Sequence, residues 1–165
     1  MYALITKEHT VATDAHILVV HKTSELFDEE FVKAIPKEGM LLGGDALREM
    51  AKKTVTNIIF TKESNTITVL HNKGGKAIFE PETQEKIGTF PNYESVIPKM
   101  EDNKMVMAMG LDAKKMLRLQ NALSIETTGL KCYFTGESRA ILCYPMNGDM
   151  FPSAKGLIMP MMINY

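Results

Sequence analysis

Side chains that titrate, attack or ligate are few in this sequence, and their spacings suit little chemistry. The histidines are His9, His16, His21 and His71. None sits in an HExxH helix, and no Cys/His spacing resembles a zinc site. Asp14 and His16 have the residue types to begin a general acid–base pair. No nucleophile motif accompanies them, so Asp14 reads better as a polar residue satisfying a strand end. His9 and His71 read as turn residues. Cys132 and Cys143 are the only cysteines, too few for a disulfide framework and not in a CxxC. They fall on facing strands of one hairpin, near each other, and read as buried small hydrophobes rather than redox groups. Gly43-Gly44 and Gly74-Gly75 complete neither a GxxxxGK[ST] loop nor a GxGxxG turn. The expectation is a protein with no catalytic residue, no metal and no cofactor.

Composition agrees with a soluble globular chain. Hydrophobic residues make up 45% and charged ones 24% of 165 residues, enough for a core without staples. The net charge of −1 gives no bulk attraction to nucleic acid or to acidic membranes, so any DNA contact has to use local basic patches. No apolar run nears the ~20 residues of a membrane helix. The N-terminus has neither a basic segment nor a long apolar one, so no secretory signal is visible. Two cysteines and no leader point to a reduced, cytoplasmic setting.

The elements that must hold any site are repeated. Phe60-Thr61-Lys62-Glu63-Ser64-Asn65-Thr66-Ile67 aligns with Phe134-Thr135-Gly136-Glu137-Ser138-Arg139-Ala140-Ile141. A fainter copy runs from Ile5 to Val11. Polar turn residues between β-branched or aromatic runs predict a hairpin in each. Met40–Leu42 and Met105–Met109 predict a strand ahead of each stronger copy. A helix follows each, from Asp45 to Lys53 and from Asp112 to Leu123. Leu47, Met50 and Ala51 have helical spacing. Asp112 is an N-cap, and Asp45 either a cap or a first-turn acid. Lys76–Glu80 and Gly156–Ile163 predict the closing strands. Phe27, Phe31, Ala34 and Ile35 line either a short helix ending at Pro36 or a covering loop. The prediction is an α+β fold of two β-α-β-β-β half-units, residues 39–80 and 104–165, joined by a connector at 81–98. An N-terminal hairpin at 1–22 completes a single domain, with helices on one face of largely antiparallel sheets.

Three separated segments, taken together, resemble the bacterial β sliding clamp, the beta subunit of DNA polymerase III. Val11-Ala12-Thr13-Asp14-Ala15-His16-Ile17-Leu18 resembles the V-A-T-D-G-H-R-L strand of that family. Thr89-Phe90-Pro91-Asn92-Tyr93-Glu94-Ser95-Val96-Ile97-Pro98 resembles its F-P-D-Y-R-R-V-[IL]-P connector. Leu157-Ile158-Met159-Pro160-Met161-Met162-Ile163 resembles its terminal M-P-M-R-L. The segments keep the family's order and span about residues 4–163. The chain resembles the second half of one clamp domain joined to the second half of the next. In the family the full chain has three domains and closes a ring as a dimer.

The resemblance implies a pocket for short peptide motifs of polymerases, clamp loaders and repair proteins. Its wall would be Thr13, Ala15, His16, Ile17 and Leu18, with Pro91, Ser95 and Val96. Its floor and rim would be Leu157, Met159, Pro160, Met161 and Met162. An apolar concave surface suits peptide anchors, and methionine adapts to varied side chains. The sequence departs from the family at Ala15, where the family has Gly. It departs again at Ile17, Ser95 and Met162, where the family has Arg, so this pocket would be less basic. Asn164 and Tyr165 extend past the family's end and would partly cover it.

Clamps encircle duplex DNA with helices that contact phosphates without reading sequence. The corresponding residues here are Arg48, Lys52 and Lys53, then Lys114, Lys115 and Arg118. Each helix is net positive, which fits loose phosphate contact and equally fits a solvated face. The expectation is a non-enzymatic, clamp-like processivity or docking factor of replication or repair, with peptide motifs and duplex DNA as partners and no membrane. The alternatives are a peptide-binding module without ring or DNA, or a structural homo-oligomer or fragment of a larger clamp.

Overall fold

A computed structural model describes residues 2–82, 89–99, 102, 104–106, 108–124, 129–146 and 151–162. The fold is α+β, and its strands pair antiparallel. The chain forms two compact units, Met1–Ala12 with Lys22–Phe90, and Thr13–His21 with Pro91–Tyr165.

In the first unit, β1 (Tyr2–Ile5) and β2 (His9–Thr13, all but its last residue) form the N-terminal hairpin, and β4 (Met40–Gly43) lies on the other side of β1. The Thr6 hydroxyl donates to the His9 carbonyl at 3.0 Å and fixes the turn. Between these strands come α1 (Thr23–Leu26) and α2 (Glu29–Ala34). Asp28 caps α2 by accepting from the Phe31 N–H at 2.8 Å, and Glu29 and Glu30 occupy the first turn, where the helix dipole favours acids. Glu29–Ala34 is thus a helix rather than a loop, while Phe27 caps the end of α1 and Ile35 the end of α2. Phe31 and Ile35 enter the core, with Phe27 and Ala34 packed against them.

α3 (Gly44–Met50) turns Leu47 and Met50 toward the same core, while Ala51 ends the helix exposed. Asp45 is a first-turn acid and not the cap, which is Gly43. β5 (Val55–Thr61), β6 (Thr66–His71) and β7 (Lys76–Phe79) follow as a three-stranded meander. Phe60 lies opposite Ile67, and both are buried. His71 closes β6 and His9 opens β2, so both stand at strand ends rather than in turns.

The second unit contains β3 (Ile17–Lys22, all but its last residue), α4 (Ala113–Leu123), β8 (Leu130–Tyr133), β9 (Ile141–Pro145) and β10 (Lys155–Ile158). The sheet order is β3-β10-β9-β8. The Asp112 carboxylate caps α4, accepting from the N–H groups of Lys114 and Lys115 at 2.9 and 3.2 Å. Leu119 and Leu123 enter the core with Ile17, Ile141, Cys143, Ala154 and Ile158, and Met116 packs at its margin. Continuing the β8/β9 register brings Phe134 opposite Ile141, as Phe60 stands opposite Ile67. Both strong copies of the repeat are therefore hairpins that follow a helix.

Two expected strands are corrected. The described residues of 104–109 form no strand, and only Gly110 makes a bridge, to Met161. Lys104 spends its N–H on the Phe134 carbonyl at 2.6 Å, and Met105 is almost fully exposed. The closing strand of the chain ends at Ile158, well short of residue 163. Pro160 has no N–H to extend the ladder. Past it, Met161 donates to Gly110 instead. Ile163, Asn164 and Tyr165 lie outside the described residues.

Candidate peptide-docking surface

The residues from Thr13 to Ile17 form a tight, self-bonded turn. The Asp14 carboxylate accepts from the N–H groups of His16 and Ile17 at 3.1 and 2.9 Å. The Thr13 hydroxyl donates to the Ile17 carbonyl at 2.8 Å. Reversing the chain in so few residues sends Ala15 into the left-handed region, at φ +71°, where a Cβ is disfavoured. The Arg118 guanidinium reaches Asp14 Oδ2 at 2.9 Å and ties the turn to α4. Burial raises the Asp14 pKa, but the two N–H donors and Arg118 outweigh it and hold the carboxyl below its usual range. Asp14 is thus a turn anchor, and nothing pairs it with His16 as acid and base.

β3 leads from this turn and pairs with β10, Ile17 opposite Ile158 and Leu18 opposite Leu157. The contact extends one residue further, since Met159 N–H donates to the His16 carbonyl at 3.0 Å. Two of the three expected pocket segments are therefore joined backbone to backbone. Ile17, Leu18 and Leu157 are buried and serve as the foundation of the surface. The exposed residues of the two segments are Ala15, His16, Met159, Met161 and Met162, the methionines being 43%, 55% and 78% exposed. Pro160 is half-buried between them.

The third segment forms a 3₁₀ turn, Glu94–Val96. Its bonds are local, Val96 N–H to the Tyr93 carbonyl and the Ser95 hydroxyl to the Asn92 carbonyl at 2.8 Å. Pro91, Ser95 and Val96 are exposed, but no such backbone pairing ties them to the turn or to the methionines. Leu111, which is not among the expected pocket residues, is 39% exposed and follows the Gly110 that bridges Met161. Nothing in the local pattern could have flagged this bridge, because it joins Gly110 to the distant Met161.

A separate cavity of about 380 Å³ lies in the first unit, lined by Leu4, Pro36, Met40, Leu41 and Pro81 with Glu38, Asn65 and Glu82. It contains none of the expected pocket residues. Among the described residues, no three His, Cys, Asp or Glu gather as a metal site. No helix among them is long and apolar enough to cross a membrane.

The six basic residues expected to meet DNA divide into two sets. Arg48 pairs with Asp45, Lys52 with Glu49 at 2.7 Å, and Arg118 with Asp14. The Lys52 hydrogen bond, with His71 beside it, holds the Glu49 carboxyl below its usual range. Among the described residues, Lys53, Lys114 and Lys115 make no ion pair.

The sequence matches no protein-family model, and no curated protein matches it either.

Proposed function

We propose that this protein is a non-enzymatic, sliding-clamp-like docking or processivity factor of DNA replication or repair, acting in the cytoplasm. Its surface around His16, Met159, Met161 and Met162 binds short peptide motifs with apolar anchors. The observation that carries this reading is the Met159–His16 hydrogen bond. It joins two segments distant in sequence, each resembling a pocket segment of the same family, at a place where methionines stand open to solvent. The left-handed backbone at Ala15 supports the same reading, because it falls at the position where the family carries Gly.

A labelled clamp-binding peptide titrated against the wild type tests the proposal. Affinity on the order of micromolar is expected, since few residues are buried and the free peptide must be ordered. Met161→Ala is expected to weaken binding by about 1–3 kcal/mol while the fold persists, because the side chain is exposed. Leu18→Ala is a poor probe, since Leu18 is buried and its loss would damage the sheet. Equal affinity for wild type and Met161→Ala, or no binding by folded wild type, would overturn the proposal.

A second reading, a peptide-binding module that has lost DNA contact, is favoured by one observation. Arg48, Lys52 and Arg118 already have carboxylate partners within the fold. Each would have to exchange that partner for a phosphate.

A further inference from the structure

The second unit holds a pair of thiols that the docking reading does not use. Cys132 on β8 stands directly opposite Cys143 on β9, and the two sulfurs lie 3.4 Å apart. Both are free thiols. Met146 N–H donates to the Gly129 carbonyl at 3.0 Å, and in this register those two residues oppose each other. That makes them a hydrogen-bonded pair. Alternation along an antiparallel ladder then makes Leu130/Pro145 a non-bonded pair, Lys131/Tyr144 a bonded one and Cys132/Cys143 non-bonded. Pro145 fits this phase, since it has no N–H to offer β8. Non-bonded pairs bring their Cα atoms to about 4.5 Å with side chains closest. That lies within the roughly 4.4–6.8 Å that a disulfide spans.

Access to the two sulfurs is unequal. Cys143 is fully buried beneath α4 and Cys132 is half-exposed, so a reagent from solvent meets Cys132 first. We propose that Cys132 and Cys143 form a reversible redox site, in which a small-molecule disulfide converts the pair to a cross-strand disulfide within one chain. When Cys132 ionises, the Cys143 S–H donates to its thiolate and, against the effect of burial, lowers its pKa to about 7. That same bond and burial push the Cys143 thiol up. Cys132 is therefore the attacking thiolate near neutral pH, and Cys143 keeps its proton until the second step.

The Cys132 thiolate attacks one sulfur of the oxidant, whose S–S bond breaks and releases one small thiolate. A mixed disulfide remains on Cys132. Cys143 then gives its proton to the departed thiolate, and its sulfur attacks the Cys132 sulfur and expels the second small thiolate, which takes a proton from water. The protein loses two electrons and the oxidant gains two. The new bond ties β8, the edge strand, to β9, and β9 pairs with the β10 strand that leads into the exposed methionines.

The test is equilibration of the folded, full-length protein in glutathione redox buffers, which spare methionine. The expected product is a monomer lighter by two hydrogens, with no reactive thiol under denaturing conditions and a raised urea midpoint. Dithiothreitol should reverse all three changes. Cys143→Ala is expected to stop at a glutathione adduct on Cys132, and Cys132→Ala to leave Cys143 unmodified while folded. Wild type that keeps both thiols under oxidising buffer would overturn the proposal. So would a stable glutathione adduct without an internal bond, or disulfide-linked dimers.

Discussion

Asp14 and Ala15 show how one turn carries opposed effects at single residues. Asp14 stabilises the turn through two N–H groups and Arg118, and its carboxyl is held below the ordinary carboxylate range. A carboxyl whose pKa is depressed by folding contributes stability above its unfolded pKa, near 3.8, and loses it as pH falls through the folded value. Asp14→Asn is therefore expected to be less stable than wild type at pH 7, with the difference closing as pH falls into the acid range. Urea unfolding at several pH values checks this, and a difference independent of pH would mean that Arg118 and the charge are irrelevant. Ala15 acts in the other direction. Its φ of +71° costs an L-residue about 1–2 kcal/mol, more than the entropy a glycine adds to the unfolded chain. Ala15→Gly is expected to raise stability by roughly 0.5–1 kcal/mol, read as a higher urea midpoint at unchanged slope.

Elements were legible in the sequence where the cause of each was local. The Asp112 cap, the apolar face of α4 and the turn between Phe60 and Ile67 all follow from neighbouring residues, and all are present. The Met105–Met109 segment looked like a strand, but its apolar residues say nothing about whether an edge is free to receive them. The last strand fails for a local reason after all, since Pro160 interrupts it. The thiol pair was half-legible. Facing strands were foreseen, but the 3.4 Å contact depends on the phase of the ladder. Two segments of the candidate surface could be read from the sequence, while the bridge that sets Gly110 beside Met161 is long-range and could not. α4 approaches the sheet closely over Gly156. A Cβ on Gly156 would sit 2.5 Å from Leu119 Cδ1 and 3.0 Å from the Leu18 carbonyl oxygen. Leu119 is wholly buried and the carbonyl is backbone, so neither yields easily. Gly156→Ala is expected to cost about 1–3 kcal/mol, measured by denaturant unfolding. A neutral result would mean that α4 is free to lift off β10.

At the scale of the whole molecule the proposed clamp-like role divides into a ring on DNA and a docking module. A clamp-family ring has six domains, so a chain of about one domain would need six copies, joined edge to edge by heterologous contacts that close on themselves. Light scattering at several concentrations distinguishes a sixfold mass from a monomer. The DNA arm needs residues whose loss leaves the fold intact. Arg118 is unsuitable because it also anchors Asp14, and Lys52 is held by Glu49. Lys53 and Lys114 are exposed and make no ion pair among the described residues. Each phosphate contact releases close to one counterion, so affinity falls with log salt at a slope of about 0.9 per contact. If both lysines meet phosphates, the Lys53→Gln, Lys114→Gln double variant is expected to flatten that slope by about 2, equally for unrelated sequences. A slope unchanged by the double variant would remove these lysines from the interface. No binding to duplex DNA at low salt, together with a monomeric mass, would remove the DNA arm of the proposal and leave Lys53 and Lys114 as ordinary solvated charges. The charge balance makes this a real contest. On a chain of net charge −1, attraction to DNA has to come from where the cations sit, and half of the expected ones already have partners.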